Sequence, residues 1–436
     1  MPKKQITQLV LFVFVDVIGY SLFFPLLPYY AAEFGAGASL VGFMIASNAG
    51  AQLLVAPLVG RLSDRFGRRP LIMVSIIGTI LSFFLLALVE PVSNFLSQNL
   101  NVFWGDQLLV TRRAGWAIIV LFFCRILDGA AGGNVSLARA YVSDITSKEH
   151  RAQGLGLIGA AFGFGFILGP AIGGTLSNWG AAIAWMEQLN LSRFAIPALA
   201  AVAISLVNLI GVFFFLPESL PKNLRTSTTV KNEDDNGLPT RRRQLPDKLI
   251  RLLGLRFLFS LAITLFMANF ALFTQNHLAL SDQATSYLLT YAGILLILVQ
   301  AVGIRWLTRR YPERSINFYS AFIVTASLLA LSLASDIWTL MLIIFPLAIS
   351  GGTMNTIVNS LISKSVEKNQ AGGALGLATS LESLAWVFAP IIGGALIDFY
   401  GGIVFAVVAG FFAGLMIPYI KLFLNQDTNG ETNIQN

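Results

Sequence analysis

The sequence predicts an all-α membrane protein of twelve transmembrane helices arranged as two six-helix halves. Three observations carry this reading. The 436-residue chain is 56% hydrophobic and only 12% charged, with a mean hydropathy of +0.72, whereas soluble domains carry roughly 25% charged residues. Apolar runs of about 20 residues, each enough to cross a ~30 Å hydrocarbon layer as a helix, recur along the chain. The first part of the chain also repeats in the second. GLGLIGAAFGFGFILGPAIGGTL (154–176) aligns with ALGLATSLESLAWVFAPIIGGAL (374–396) at an offset of 220 residues, and DRFGRR (64–69) stands opposite RRYPER (309–314) at an offset of 245.

Reading the runs against their Gly, Pro and charged punctuation places spans near 7–30, 38–59, 70–90, 115–142, 152–176, 195–216, 253–276, 284–307, 316–334, 338–362, 373–397 and 401–424. Lys3 and Lys4 precede the first run, which lacks a small-residue cleavage site and is expected to stay as a span. A long loop from about Glu90 to Ala114 absorbs the difference between the two repeat offsets. Residues 218–252, with PESLPKNLRTS, KNEDDNG and RRRQ, are polar and rich in turn formers. They read as a disordered cytoplasmic linker joining a half at 1–217 to a half at 253–425, followed by a tail at 426–436.

Charge sets the orientation. Of 29 Lys and Arg, 24 fall in the N-terminal tail, in 60–70, 148–151, 222–256, 305–314 and 364–368, or at Lys421. Arg112, Arg113 and Arg193 lie in the opposite loops, and Arg125 and Arg139 fall inside a span. By the positive-inside rule both termini are cytoplasmic, and a bacterial inner membrane is the expected setting.

The same composition excludes several classes of function. One cysteine, Cys124, allows neither an intramolecular disulfide nor a cysteine-built metal site, and only His150 and His277 remain as soft ligands. No Walker A or HExxH sequence is visible, so no cofactor, metal or enzymatic chemistry is expected. The basic residues sit between spans, where they serve orientation, and nucleic acid is not an expected partner. Two parallel repeats flanking a path suit a secondary transporter better than a channel or receptor. The expected partners are a small-molecule substrate, protons and the lipid bilayer, and the expected state is a monomer.

GRLSDRFGRRP (60–70) concentrates charge in this apolar chain. Four arginines suffice as an anchor, but Asp64 does nothing for orientation and favours a specific ion-pair cluster, with Gly60 and Gly67 allowing close approach. Gly60, Leu62, Asp64, Arg65, Gly67, Arg68 and Arg69 resemble the signature between spans 2 and 3 of the major facilitator superfamily, G-x-L-x-D-R-x-G-R-R/K. The resemblance implies the major facilitator fold and a cytoplasmic latch, in which Asp64 meets the other half near span 11 and Arg68 pairs with an acid ending span 4, here Asp144. The second-half copy has Arg309 in place of Asp64 and Pro312 in place of Gly67, so a symmetric latch is not expected there.

On span 5, Gly165, Gly169, Pro170, Gly173 and Gly174 resemble the motif of drug:proton antiporters within that superfamily. The same glycines also suit plain close packing of helices. On span 1, DVIGYSLFFPLLP (16–28) resembles twelve-helix drug exporters, in particular the tetracycline-resistance-like group. Asp16 is an ionisable group inside a span and a functional candidate by default. Tyr20, Phe23, Phe24 and Leu27 continue its face as a stripe that serves packing or substrate. Arg125 and Asp128, at i and i+3, are either a static pair or, as the resemblance implies for the arginine, part of proton coupling. Glu382 on span 11 is either a proton site or a contact for a cationic substrate, with a structural ion pair as the other reading. Asn48, Gln52, Asn269, Gln300, Asn355 and Asn359 are candidates to line a cavity or to bond between helices.

These readings converge on a secondary active transporter driving a small amphiphilic molecule or drug outward against proton entry. A proton-coupled symporter importing a metabolite is the alternative, and a non-transporting sensor or scaffold a more distant one.

Overall fold

The computed structural model describes residues 3–100, 109–147, 150–183, 185–188, 190–220, 246–366 and 370–421. Among these residues the regular structure is entirely helical. Eleven helical segments are long and apolar enough to cross a membrane, and a twelfth, Val404–Tyr419, is apolar but shorter.

The first part of the chain folds into α1 (Lys3–Phe23), α2 (Leu27–Glu33), α3 (Ala38–Phe66), α4 (Arg68–Ala87), α5 (Val89–Asn99), α6 (Leu109–Ala131), α7 (Asn134–Ile145), α8 (Arg151–Ala181), α9 (Trp185–Gln188) and α10 (Ala195–Phe215). The second contains α11 (Asp247–Leu278), α12 (Asp282–Leu298), a π-helical turn at Val299–Gly303, α13 (Ile304–Arg310), α14 (Glu313–Ala330), α15 (Ile337–Lys364), α16 (Ala371–Tyr400) and α17 (Val404–Tyr419).

Several boundaries follow from local chemistry. Pro25 interrupts the first span, and Pro28 sits in the opening turn of α2, where a missing N–H costs nothing. Gly132 and Gly133 divide the fourth span into α6 and α7. Gly67 joins α3 to α4 at φ 106°, a conformation that a β-carbon disfavours. Asp336 caps α15 by accepting from the Thr339 N–H, and Thr339 reciprocates, which closes a capping box.

Two expectations change. The loop expected from Glu90 to Ala114 is helical over Val89–Asn99 and again from Leu109; the polar residues of α5 alternate with apolar ones at helical spacing. The linker expected at 218–252 lies outside the described residues over 221–245, while 247–252 already belong to α11 and Glu218 and Ser219 make specific bonds described below. The expected tail at 426–436 lies outside the described residues.

The chain divides into two compact units, Met1–Lys231 with Leu280–Tyr291, and Asn232–Ala279 with Ala292–Asn436. In the first, α1 packs on α8 and α10, α4 on α6 and α10, and α3 on α6. In the second, α11 packs on α16 and α17, and α14 on α15 and α17. Apart from the α3–α6 contact, whose counterpart is the π-helical turn against α15, the internal pairing is therefore repeated. The first unit's core gathers Leu9, Val13 and Val17 of α1 with Ile76, Tyr141, Ile158 and Val212 from the helices around it.

The α1–α8 seam depends on absent side chains. A β-carbon at Gly165 would overlap Val17, one at Gly169 would overlap Ser21 and the Leu22 backbone, and one at Gly173 would overlap the Leu22 carbonyl. With these positions bare, Ser21 Oγ donates to the Gly165 carbonyl at 2.9 Å. In lipid such contact replaces the hydrophobic drive that helices lack there. Gly163 faces open space. Because Cys124 is fully buried, a thiol-reactive fluorophore reports unfolding in detergent. Gly169→Val should destabilise by about 1–3 kcal/mol or more through overpacking, whereas Gly163→Ala should be neutral or gain up to about 1 kcal/mol; equal melting of the two variants would contradict the seam.

Candidate transport site

In the first unit the interior charges lie on α1 and α6. Asp16 accepts a hydrogen bond from Asn134 Nδ2 at 2.9 Å. Asn134 opens α7 directly after the Gly132–Gly133 break, so the break brings an amide to the carboxylate. Among the described residues no cation pairs with Asp16. It borders a cavity of about 20 Å³, together with Phe12, Asn134, Asn208 and Leu216. Asp128 is held differently. Arg125 Nη1 lies 3.5 Å from its carboxylate, with both side chains about 5% exposed. Asn48 Nδ2 donates to Asp128 at 2.9 Å and to the Arg125 carbonyl at 3.1 Å. Arg125 also stacks on Phe83, and its Nε and Nη2 have no partner among the described residues.

The amides expected to line a cavity divide by what they touch. Asn48 ties α3 to the ion pair, and Gln52 Nε2 donates to the Gly132 carbonyl at 2.7 Å, satisfying the broken end of α6. Asn269 is fully buried, donates to the Leu265 carbonyl and packs against Gly393, so it serves helix packing. Gln300 lies exposed in the π-helical turn, and Asn359 is part-buried on α15.

Aromatic residues extend from Asp16. Tyr20 neighbours Phe24 with ring centroids 6.4 Å apart, Phe24 neighbours Phe166 at 5.5 Å, and Phe166 stacks on Phe162 at 6.1 Å. Phe23, expected on the same stripe, turns inward onto Tyr30 and Phe83. The helix ends at Phe23, so the helical spacing used for the stripe does not continue beyond it.

The second unit holds a constellation that sequence reasoning missed. Arg256 was assigned to the cytoplasmic basic set, but it is buried on α11, 5% exposed, with its Nη2 2.6 Å from Glu382, whose side chain is 42% exposed. Its Nη1 donates to Asn355 Oδ1, and its guanidinium stacks on Phe259. The signal was present in LLGLRFLF, a lone arginine flanked by apolar residues on both sides.

Charged clusters mark the ends of the helices. Arg68 lies between Asp64 at 2.6 Å and Asp144 at 2.9 Å and donates to Ser63 Oγ. Glu218 accepts from the backbone N–H groups of Arg68 at 2.8 Å and Arg69 at 3.3 Å, capping α4. Ser219 Oγ donates to Asp144 and Tyr141 to the Pro217 carbonyl. Glu218 and Ser219, read as the start of a disordered linker, are thus part of the cluster; an acid directly after Pro217 and within reach of excess arginines was the available signal. Arg65 stacks on Phe66. In the second unit Glu313 occupies the repeat position of Arg68 and Lys364 that of Asp144, by the offsets of 245 and 220 residues. They pair at 2.6 Å, with the charges reversed. At the other end of the first unit, Arg193 bridges Glu33 at 3.4 Å and Asp282 at 3.3 Å, and Ser177 Oγ donates to Asp282.

Two repeated helical units whose interiors hold ion pairs, an amide-bound carboxylate and an aromatic face define a multi-pass membrane transporter. The profile of the Major Facilitator Superfamily matches residues 9–252 and 252–435, and the chain belongs to that superfamily. It is therefore an integral membrane transporter of small molecules, not an enzyme. It is 25% identical over 393 residues to the tetracycline resistance protein, class H, of Pasteurella multocida, covering 89% of this chain and 88% of that one. It is 27% identical over 402 residues to multidrug resistance protein 1 of Bacillus subtilis, covering 91% of each. The crystal structure of the human organic anion transporter MFSD10 (TETRAN) shares the fold with a TM-score of 0.63 at 20% identity, over 96% of this chain and all of that one.

The two repeat-related pairs differ in burial, and so should their mutants. Arg68→Ala removes a buried cation that bonds Asp64, 49% exposed, and Asp144, 20% exposed; with both acids reached by solvent it should cost about 1.5–3 kcal/mol. Glu313→Ala breaks a pair whose lysine is 63% exposed and should cost no more than about 1 kcal/mol. Thermal unfolding of the two purified variants checks the ordering.

Proposed function

We propose that the protein is a monomeric, proton-driven exporter of small amphiphilic molecules, working by alternating access in a bacterial inner membrane with both termini in the cytoplasm. The observation that carries this reading is the contrast between two interior acids of the first unit. Asp128 is balanced by Arg125. Asp16 has an amide and a small cavity but no cation among the described residues. A carboxylate without a counter-charge in a low-dielectric interior is neutralised most simply by binding a proton. Arg125 cannot exchange protons itself, but its unpartnered N–H groups give it capacity to meet a second acceptor as the helices move.

Support for export rather than import comes from the glycine-proline motif of α8 and from the names of the tetracycline and multidrug resistance relatives. The aromatic run Tyr20, Phe24, Phe166 and Phe162 offers a substrate flat, apolar surface beside the acid. Arg256 and Glu382 form a second polar focus in the other unit; because Glu382 is held by an arginine, it orients substrate while Asp16 carries the proton. The cluster at Asp64, Arg68, Asp144 and Glu218 serves as the cytoplasmic latch. The cluster at Glu33, Arg193 and Asp282 ties down residues 280–291 at the opposite end. Both must loosen and reform during a cycle.

Everted vesicles made acidic inside should accumulate tetracycline, and dissipating the pH gradient should release it. Asp16→Asn should lower gradient-driven accumulation by at least about 100-fold, because a neutral amide can neither take up nor release the coupling proton. Accumulation driven instead by protons moving in the same direction as the drug would establish symport and overturn the export reading.

A further inference from the structure

Besides Asp16, the cavity beside α1 is bordered by two amide oxygens left without donors. Asn134 Oδ1 and Asn208 Oδ1 are both buried and have no hydrogen-bond partner among the described residues. Asn134 is 7% exposed and Asn208 2%. A buried acceptor without a donor is costly, and two bordering one cavity are better explained by a shared donor than by separate strain. The space, about 20 Å³, holds one water molecule, which needs roughly 10–15 Å³ and two to four polar partners. The remaining wall, including Leu9, Val13, Ile72, Ile76 and Ala138, is apolar.

We infer that this cavity holds a single water molecule that donates to Asn134 and Asn208 and accepts from Asp16 when that carboxyl is protonated, making Asn208 a positioning residue for proton exchange. The inference rests on Asp16 as the proton carrier. In the protonated state Asp16 O–H donates to the water oxygen. On release the Asp16 proton passes to the water, which leaves for bulk solvent as hydronium and is replaced by a neutral water, while the carboxylate keeps its bond from Asn134 Nδ2. No bond other than O–H is made or broken, and one proton leaves for each that entered. Asn208 belongs to α10, which carries no charged residue, so it contributes orientation without adding charge. On the surrounding helices the ionisable groups are Lys3, Lys4 and Tyr20 on α1, Arg112, Arg113, Cys124, Arg125 and Asp128 on α6, Arg139, Tyr141 and Asp144 on α7, Arg151 on α8, and Arg68 and Arg69 on α4. Arg125 and Asp128 pair with each other, as do Arg68 and Asp144.

The test is infrared difference spectroscopy on full-length protein in nanodiscs, with the Asp16 carboxyl band assigned by its loss in Asp16→Asn. Wild type should show that band hydrogen-bonded, together with a water O–H band that shifts in H₂¹⁸O. Asn208→Leu, which fills the cavity with apolar volume, should abolish the water band and slow hydrogen–deuterium exchange of the Asp16 carboxyl by about tenfold or more, the weight of one hydrogen bond. Asn208→Ala, which leaves room for water, should retain exchange within about threefold of wild type and keep a shifted water band. Exchange in Asn208→Leu at the wild-type rate, or no isotope-sensitive water band in wild type, overturns the inference. If the leucine variant does not fold, the wild-type and alanine water bands decide alone. Loss of the Asp16 band when sodium replaces choline in the buffer would put a metal ion in the cavity and also overturn it. Since no substrate or gradient is involved, failed export in vesicles with an intact water band would sink the export reading alone.

Discussion

A charge inside hydrocarbon has to be compensated by another part of the same protein, and much of this structure is arranged around that constraint. Lipid offers no hydrogen bonds, so helices satisfy their backbone internally and side-chain charges must find partners across helix contacts. Close contact requires small residues. The glycines of α8 let α1 approach until Ser21 bonds the Gly165 carbonyl, and that approach fixes the position of Asp16, five residues earlier on α1. The Gly132–Gly133 break has the same effect from the other side, presenting Asn134 to Asp16 and leaving the Gly132 carbonyl for Gln52 and the Ala131 carbonyl for Ser75. Packing and function are therefore not separate uses of the glycines: the seam sets the geometry in which an acid tolerates burial.

The repeat makes the asymmetry of the interior informative. Equivalent helices pair in the same way in each unit, yet one unit holds an acid with only an amide partner and the other an arginine–glutamate pair. Position 162 is phenylalanine where position 382 is glutamate. Shared backbone pairing with different interior chemistry fits a division of work in which the proposed proton site belongs to one unit alone, while the other adds a polar contact for the cargo to the aromatic surface of the first.

The fold was legible because hydrocarbon imposes long uncharged runs, and such runs survive any uncertainty in their ends. Asp16, Arg125 and Glu382 were legible for the same reason, as charges where none is affordable. Asn134, Asn208 and Glu218 were not, because an amide or an acid near a span end is ordinary until its partner is known, and partners come from helix crossings that periodicity does not encode. Arg256 was misplaced by a few residues of boundary: α11 begins at Asp247, which carries Arg256 more than two turns into the helix. Asn48 and Gln52 show the converse, since a polar residue facing inward is satisfied by the nearest helix before it is available to a cavity.

The reversed pairs at the helix ends show how sequence differences between the repeats change stability rather than shape. Arg68 opens α4, and Asp144 lies in the last turn of α7. A cation at a helix N-terminus and an anion at a C-terminus both oppose the helix dipole, each by about 0.3–1 kcal/mol when exposed. Glu218 offsets the first by capping the N–H groups of Arg68 and Arg69. In the second unit Glu313 opens α14 and Lys364 closes α15, so the same bridge runs with both dipoles and needs no separate cap. The first unit's cluster therefore combines short bonds to one buried arginine with unfavourable dipoles and a cap supplied by residues after α10. Displacing Glu218 removes the anion that offsets a cation at a helix start. A tie of that construction can be strong when assembled and give way as a whole, which is the property a latch requires and a static brace does not.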